Sequence, residues 1–265
     1  TRGEARVKVE LTGKVLIVTG RTHGVGEAIA RQAAESGAAG ILVTGREAAA
    51  AERVAAALAG SGTETATFVA DLADPDAPGH LFAKAKDSFG RVDLLVNAAA
   101  VTDRAGWPDG TVEEWDRQFA VNARAPFLLM QRVIADLLDR GAEGSIVNIL
   151  SINAMCGAPD LAVYSATKGA LATLTRNAAE AHMAQGIRVN GINLGWAETP
   201  GEQRMQSEIL GKGPGWLAEA EASQPLGRLI STDEVARMAV FLLSAEAGLL
   251  TGSLTDYGQF VVGSV

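Results

Sequence analysis

The sequence predicts an α/β fold in which a doubly wound parallel sheet carries helices on both faces. Three observations lead to this prediction. Short runs of β-branched and other apolar residues alternate with helical segments along the whole chain, with short breaks between them. The first run is followed by a glycine-rich turn and a helix. The 265 residues are 48% hydrophobic, which suffices for a sizeable core, and we expect a single domain over residues 1–265.

Six apolar runs and the tail of the chain predict the strands. The first run is rich in Val and Ile and ends in glycine, as a buried parallel strand does. The predicted strands are residues 14–19, 40–44, 66–70, 92–97, 144–150 and 187–193, with a last strand within 252–262.

Helical patterns fill the segments between these strands. The first of them places Ile29, Ala33 and Ala34 on one apolar stripe and stops at Gly37. The second is rich in alanine and ends at a Gly-Ser-Gly sequence. The predicted helices are residues 27–36, 48–59, 80–89, 112–139 as one helix or two, 164–182 and 233–244.

One segment breaks this alternation. Residues 198–224 lie between the sixth strand and the helix that follows it, and they contain several glycines and prolines. An insertion of this length at the carboxyl end of a strand predicts a substrate loop or lid.

Composition and charge exclude several classes of protein. With Lys+Arg 23 and Asp+Glu 31 the net charge is −8, which argues against nucleic acid or an anionic membrane surface as a partner. A single cysteine excludes an intramolecular disulfide, and the three histidines lack metal-ligand spacing, so we expect no metal site. The sequence has no apolar signal-peptide core and no run of ~18 apolar residues. We therefore expect a cytoplasmic protein.

A glycine-rich turn joins the first predicted strand to the first helix. Its spacing, G-x3-G-x-G, differs from the G-x-G-x-x-G dinucleotide fingerprint. Glycines allow a tight turn and a close backbone approach, and free amides at a helix N-terminus favour an anion. The turn therefore predicts a pyrophosphate site, with a plain glycine turn as the alternative. The residues assigned to the cofactor here are Gly20, Arg21, His23, Gly24, Val25 and Gly26.

The end of the second strand bears on the choice of dinucleotide. An acidic residue ~20 positions beyond the glycine turn would bind the ribose 2′-hydroxyl of NAD. Arg46 occupies that position, and its guanidinium suits a 2′-phosphate through forked hydrogen bonds. We therefore expect NADP in preference to NAD. Glu47 keeps NAD open, because a small backbone shift would bring its carboxylate to the ribose hydroxyl.

Four further residues complete a set of motifs. Tyr164 and Lys168 lie four residues apart and share one face of a predicted helix. Ser151 follows the fifth strand at its carboxyl end, and Asn122 lies in the long helical segment before that strand. With these motifs in this order, the chain resembles the short-chain dehydrogenase/reductase family. The glycine turn matches the family's TGxxxGxG, and the tyrosine and lysine match its YxxxK.

The resemblance spans about residues 11–252 and implies a Rossmann fold, a nicotinamide dinucleotide and a homo-oligomer, either dimer or tetramer. It implies that Lys168 binds the nicotinamide ribose and that Asn122 holds a water extending a proton relay. The further cofactor contacts that it implies are Asp71, Leu72, Asn97, Ala98, Gly195 and Thr199. The tail departs from the family pattern at residues 256–259, so the subunit geometry does not follow from the resemblance.

The residue types also support a chemical argument. Hydride transfer at a carbinol carbon requires proton transfer at its oxygen, and the pKa of a free tyrosine, about 10, is too high for a base near pH 7. A nearby ammonium lowers that pKa, burial raises it, and the charge of an oxidised nicotinamide would lower it further. We predict Tyr164 as the general acid/base, Lys168 as the group that lowers its pKa, and Ser151 as the residue that orients the substrate oxygen.

The sequence predicts an NAD(P)-dependent oxidoreductase that interconverts a secondary alcohol and a ketone on a small molecule. The predicted substrate pocket contains Ser151, Asn153, Tyr164 and Trp196, with Met155, Cys156 and Trp216 as further walls. These side chains do not decide between a sugar or polyol and a lipophilic ketone. The alternatives are a 3-oxoacyl thioester reductase, a non-catalytic dinucleotide-binding sensor, and a methyltransferase on the same fold. The Tyr-x-x-x-Lys helix argues against the last two.

Overall fold

A parallel sheet organises the part of the chain that the computed structural model describes, residues 9–20 and 24–261. Within these residues seven strands form one sheet in the order β3-β2-β1-β4-β5-β6-β7, and every neighbouring pair is parallel. The strands are β1 Val15–Val18, β2 Gly40–Gly45, β3 Glu64–Val69, β4 Leu94–Asn97, β5 Gly144–Ile149, β6 Ile187–Leu194 and β7 Leu254–Tyr257. The predicted fold class is confirmed.

Helices cover both faces of this sheet. They are α1 Val25–Glu35, α2 Ala48–Leu58, α3 Ala77–Phe89, α4 Val112–Phe119, α5 Ala125–Asp139, α6 Ala162–His182, α7 Pro200–Arg204, α8 Trp216–Ala222 and α9 Thr232–Leu243. The predicted helices lie within a few residues of these bounds. No helix among the described residues combines the length and the apolar character needed to cross a membrane.

The core forms two layers because side chains alternate along each strand. Leu16 and Val18 of β1 point into the layer under α1, α2 and α9, whereas Ile17 points into the layer under α3, α5 and α6. All four residues of β1 and all four of β4 are buried, as expected for central strands covered on both faces. The continuous apolar runs that predicted these strands follow from this double burial.

The long helical segment before β5 is continuous and irregular at its centre. Thr111 starts α4 with a capping box, in which its hydroxyl accepts from the Glu114 amide while the Glu114 carboxylate accepts from the Thr111 amide. A π-helical turn, Ala120–Arg124, then joins α4 to α5. Such turns are frequent at functional sites, and this one carries Asn122.

The predicted lid, residues 198–224, folds into helices with a small core of its own. It contains α7, a π-helical turn Met205–Ile209 and α8. Trp216 is 2% exposed and packs against Trp196, with ring centroids 6.4 Å apart, and its indole N–H donates to Gln203 Oε1 at 2.8 Å. Internal packing of this kind gives the segment a defined shape.

The order in which the chain adds strands to the sheet reverses between β1 and β4. From β1 the chain adds β2 and β3 on one side, then returns to place β4, β5, β6 and β7 on the other. The connections leaving the carboxyl ends of β1 and β4 therefore diverge and open a crevice between them, which is where open α/β sheets bind ligands.

Replacing Leu95 by Ala tests the contribution of the central strand. Leu95 is 0% exposed in β4, so the variant should lose about 2–5 kcal/mol of unfolding free energy, measured by urea denaturation. Leu249→Ala is the matched control, since that side chain is 99% exposed and its loss should change stability by less than about 0.5 kcal/mol. Equal effects in the two variants would contradict the assignment of β4 to the core.

Candidate active site

A cleft of about 330 Å³ opens at the carboxyl ends of the central strands. It follows the crevice at the switch point and extends from the end of β2 to the start of α7. The predicted site residues among those that line it are Gly20, Gly24, Val25, Gly26, Arg46, Asp71, Leu72, Ala98, Ser151, Tyr164, Lys168, Gly195 and Thr199. Arg21 and His23, assigned to the cofactor from the sequence, lie outside the described residues.

Two glycines of the turn are required by backbone contacts. A Cβ on Gly20 would lie 2.6 Å from the Ala99 Cα, and a Cβ on Gly26 would lie 2.5 Å from the Gly20 carbonyl oxygen. Gly20 also has a φ of 69°, in the left-handed region that favours glycine. Gly20 thus lies directly on the segment after β4, and Gly24, Val25 and Gly26 at the start of α1 line the cleft.

Thr19 fixes this contact, although sequence reasoning did not single it out. Its buried hydroxyl oxygen accepts hydrogen bonds from the amides of Ala98 and Ala99, each at 3.1 Å. The end of β1 is thereby tied to the residues after β4. The alanines at these positions leave room for a ligand to approach the backbone.

Charged side chains gather at the β2–β3 end of the cleft. Arg46 is exposed, and its positive charge acts on Asp71, whose carboxylate accepts from both terminal nitrogens of Arg117 at 3.2 Å. A hydrogen bond from the Ala73 amide is the largest of the effects that lower the pKa of Asp71, and the two arginines act in the same direction. Arg117 lines the cleft and was missed from the sequence, because it lies on α4, 46 positions from its partner.

The opposite end of the cleft holds the predicted catalytic set. Lys168 is buried, and its ammonium donates to the Ile149 carbonyl at 2.7 Å and lies 5.7 Å from the centre of the Tyr164 ring. Ser151 lies beside Tyr164, where it can donate a hydrogen bond to the phenolate, and its own oxygen accepts from the Asn153 amide at 3.1 Å. The structure therefore brings together the serine, tyrosine and lysine that the sequence places 17 positions apart.

Burial dominates the protonation of this set. It raises the pKa of Tyr164 to about 12, against the hydrogen bond from Ser151, which lowers that pKa. It also lowers the pKa of Lys168 to about 8. Burial is thus the largest effect on the pKa of Tyr164, in the direction that the sequence argument expects. The role of Lys168 in lowering that pKa stays a prediction.

Asn122 has a defined structural position beside this set. Its amide group donates to the Val101 carbonyl at 2.8 Å and to the Thr167 hydroxyl at 3.1 Å, and its oxygen accepts from the Val101 amide at 2.8 Å. It thus joins the π-helical turn, the segment after β4, and α6. The role of holding a relay water stays a prediction.

A ladder of buried polar side chains supports the floor of the cleft. The Asn97 side chain donates to Asn148 Oδ1 at 2.8 Å, Asn148 donates to the Thr175 hydroxyl at 2.9 Å, and that hydroxyl donates to the Leu171 carbonyl at 2.7 Å. The ladder links β4, β5 and α6. Asn97, assigned to the cofactor from the sequence, is 2% exposed and does not line the cleft.

The predicted substrate residues divide into two groups. Ser151 and Tyr164 line the cleft, whereas Asn153 and Trp196 do not. Trp196 precedes the lid and packs against Trp216 within it, and its indole N–H donates to Glu202 Oε1 at 2.9 Å. Met155 and Cys156 are exposed, and Trp216 lies in the core of the lid, so these three do not form walls of the cleft.

Three residues of the lid line the cleft, Thr199, Gly201 and Glu202. The Thr199 hydroxyl starts α7 by accepting from the Glu202 amide at 3.0 Å, and the Thr199 side chain lies 3.3 Å from where a Cβ on Gly24 would be. Glu202 lines the cleft on the Tyr164 side and raises the pKa of that tyrosine through its negative charge. Sequence reasoning did not assign Glu202 to the site, since only the fold of the lid orients its carboxylate.

Comparisons with known proteins agree with this geometry. A family model described as enoyl-(acyl carrier protein) reductase matches residues 20–257. The chain is 34% identical over 242 residues to cis-4-hydroxycyclohexanecarboxylate dehydrogenase of Sinomonas cyclohexanicum, covering 91% of this chain and 93% of that protein. The crystal structure of L-sorbose reductase from Gluconobacter frateurii, complexed with NADPH and L-sorbose, matches with a TM-score of 0.91 at 27% identity, covering 97% and 100% of the two chains. A gluconate 5-dehydrogenase from Burkholderia cenocepacia J2315, in complex with NADP and tartrate, matches with a TM-score of 0.85 at 28% identity, covering 97% and 98%.

Substituting Gly26 by Ala tests the close packing of the glycine turn. Alanine favours a helix over glycine by about 1 kcal/mol, yet its Cβ would meet the Gly20 carbonyl, so we expect lower stability and weaker dinucleotide binding. Melting temperature and fluorescence titration with NADPH measure the two effects. Gly60→Ala is the control, because a Cβ at Gly60 meets nothing within 4 Å. A Gly26→Ala variant as stable as this control, with unchanged binding, would refute the argument.

Proposed function

Because this chain belongs to the short-chain dehydrogenase/reductase family, we propose that it is an NADP-dependent oxidoreductase that interconverts a secondary alcohol and a ketone on a small polyhydroxy compound. The proposal depends on one observation: Ser151, Tyr164 and Lys168 line the same cleft as the glycine-rich turn between β1 and α1. That convergence supports the proposal, because a group able to donate and accept a proton would then lie beside a space suited to a dinucleotide.

Tyr164 would transfer the proton at the substrate oxygen. Its hydroxyl lies beside Ser151, whose own hydroxyl accepts from the Asn153 amide and would bind the carbinol or carbonyl oxygen. Burial keeps the phenol protonated, which suits the donation of a proton during ketone reduction. For alcohol oxidation the phenolate must form. The ammonium of Lys168 and the positive charge of an oxidised nicotinamide ring would both stabilise it.

The residues of the cleft fit NADP. The missing Cβ atoms of Gly20 and Gly26 let the turn pack closely, so that the amides at the start of α1 can hold a pyrophosphate, and the exposed Arg46 can fork onto a 2′-phosphate. When bound, NADP supplies the hydride acceptor for oxidation and, as NADPH, the hydride donor for reduction. The bound NADPH and NADP of the sorbose reductase and the gluconate 5-dehydrogenase support this choice over NAD.

The names of the relatives support a hydroxylated substrate. They act on a sugar, a sugar acid and a hydroxylated ring carboxylate. A second candidate is a reductase that acts on an acyl chain carried as a thioester, which the description of the matching family model favours. A panel of polyols, ketoses, sugar acids and a 3-oxoacyl thioester, assayed by nicotinamide absorbance with each dinucleotide, separates these candidates.

Assembly and location are further proposals. The resemblance implies a homo-oligomer, and the exposed apolar side chains Val112 and Trp115 on α4 and Phe127 on α5 suit a face covered by a second copy. Dimer or tetramer, and the cytoplasmic location, stay predictions.

Replacing Tyr164 by Phe should reduce kcat by roughly 10²–10⁴-fold, because it removes only the hydroxyl that transfers the proton. The dissociation constant for NADPH, measured by fluorescence titration, should stay unchanged. Tyr257→Phe is the matched control: it is the chain's other tyrosine, lies in β7 and donates to the Glu234 carbonyl at 3.1 Å, away from the cleft. Retention of wild-type turnover by Tyr164→Phe would remove the acid/base role.

Replacing Arg46 by Ala should weaken the binding of NADPH by roughly tenfold or more and that of NADH by much less, since the guanidinium would contact the 2′-phosphate alone. Titration of both dinucleotides measures the ratio. Arg237→Ala serves as the control, because this arginine is exposed on α9 and does not line the cleft. An equal loss for both dinucleotides would overturn the 2′-phosphate assignment.

A further inference from the structure

Glu202 is an acidic side chain on the wall of the cleft that the proposed reaction does not use. It lies in the first turn of α7 and lines the same cleft as Ser151 and Tyr164. Its charge is felt by the Tyr164 hydroxyl, whose pKa it raises. A carboxylate in contact with the reacting end of a substrate cleft must affect which substrates can enter it.

The carboxylate is held in place through one oxygen only. Glu202 Oε1 accepts from the Trp196 indole at 2.9 Å and from the Gln206 side-chain amide at 2.6 Å. Within residues 9–20 and 24–261, Oε2 has no hydrogen-bond partner and Glu202 has no ion-pair partner. One oxygen is thus anchored by the lid, while the other is free to accept a hydrogen bond from a ligand.

The remaining charges of the cleft limit the kind of ligand. Among the described residues that line this end, Lys168 is the other charged side chain, and its ammonium donates to the Ile149 carbonyl. Arg46, Asp71 and Arg117 line the β2–β3 end and interact with one another. A substrate anion near Tyr164 would be repelled by the carboxylate of Glu202, and a substrate cation would be repelled by the ammonium of Lys168. An uncharged molecule avoids both repulsions.

We propose that Glu202 is a specificity-determining residue that selects an uncharged polyhydroxy substrate, such as a ketose or polyol, and rejects sugar acids. Its free oxygen accepts a hydrogen bond from a hydroxyl of the substrate other than the one that reacts, and its negative charge repels a substrate carboxylate. The inference rests on the proposed function and narrows it. It separates this chain from the gluconate 5-dehydrogenase among its relatives and places it with the sorbose reductase.

The test compares an uncharged ketohexose with a keto-aldonate of the same carbon length, using NADPH as reductant. The wild-type protein should favour the ketohexose by at least tenfold in kcat/KM, and Glu202→Gln should reduce this ratio by at least tenfold. Glutamine can still accept from Trp196 and Gln206, so we expect an unchanged melting temperature. Glu208→Gln is the matched control, because Glu208 is exposed on the lid and outside the cleft.

Two outcomes of this comparison would overturn the inference. One is a wild-type preference for the keto-aldonate, and the other is a ratio that Glu202→Gln and Glu208→Gln leave equally unchanged. A preference for an amino polyol over the uncharged polyol would also overturn it, since the selected class would then be cationic.

The pH profile gives a second readout that a merely structural role would not move. The groups acting on the Tyr164 hydroxyl are Ser151 at the end of β5, Lys168 on α6 and Glu202 on α7. Since the carboxylate raises the pKa of Tyr164, its removal lowers that pKa, and the alkaline-activated limb of alcohol oxidation should shift to lower pH in Glu202→Gln. If the pH at which alcohol oxidation becomes activated is the same in Glu202→Gln as in the wild type, the result would count against the inference.

Binding without turnover distinguishes failure of the inference from failure of the proposed function. Calorimetry on the protein loaded with NADPH measures the affinity for a polyol and for the corresponding sugar acid, neither of which can react with the reduced dinucleotide. Tighter polyol binding that Glu202→Gln abolishes supports the inference even if turnover is absent, whereas equal affinities overturn it. Turnover of sugar acids alone would overturn the inference and leave the oxidoreductase proposal intact.

Discussion

The contact between the glycine turn and the segment after β4 is the constraint on which the rest of the site depends. Gly20 lies so close to the Ala99 backbone that no Cβ fits between them, and the Thr19 hydroxyl binds two amides of that segment. Close backbone packing of this kind fixes where α1 begins, and hence where its free amides point. The cleft opens beside this contact because the sheet reverses its order there.

Burial of polar groups sets the chemistry at the other end of the cleft. The ammonium of Lys168 is buried with a backbone carbonyl as its hydrogen-bond partner, and the pKa of Lys168 falls to about 8. The neighbouring phenol is held in its neutral form by the same effect, since burial raises the pKa of Tyr164. The polar ladder behind them, from Asn97 to Thr175, ties β4, β5 and α6 together through buried side-chain hydrogen bonds.

Charge divides the cleft into two functional halves. At one end Arg117 is hydrogen-bonded to Asp71, with Arg46 nearby, whereas Lys168 and Glu202 are the charged groups at the Tyr164 end among the described residues that line the cleft. The first half can bind phosphate, and the second balances one cation against one anion. This division shows how a chain of net charge −8 could hold both the proposed phosphate site and the proposed selective substrate site.

The sequence by itself determined the alternation of strands and helices, the glycine turn and the Tyr-x-x-x-Lys spacing, because periodicity, backbone freedom and position on one helix face are local properties. It did not find Arg117 or Glu202, and it placed Trp196 and Trp216 in the substrate pocket, where the structure packs them into the lid. Those assignments depend on which side chains meet, from Trp196 with Glu202 across 6 positions to Arg117 with Asp71 across 46. These positions follow from tertiary packing alone, because burial and charge act between helices and strands whose contacts no local sequence pattern predicts.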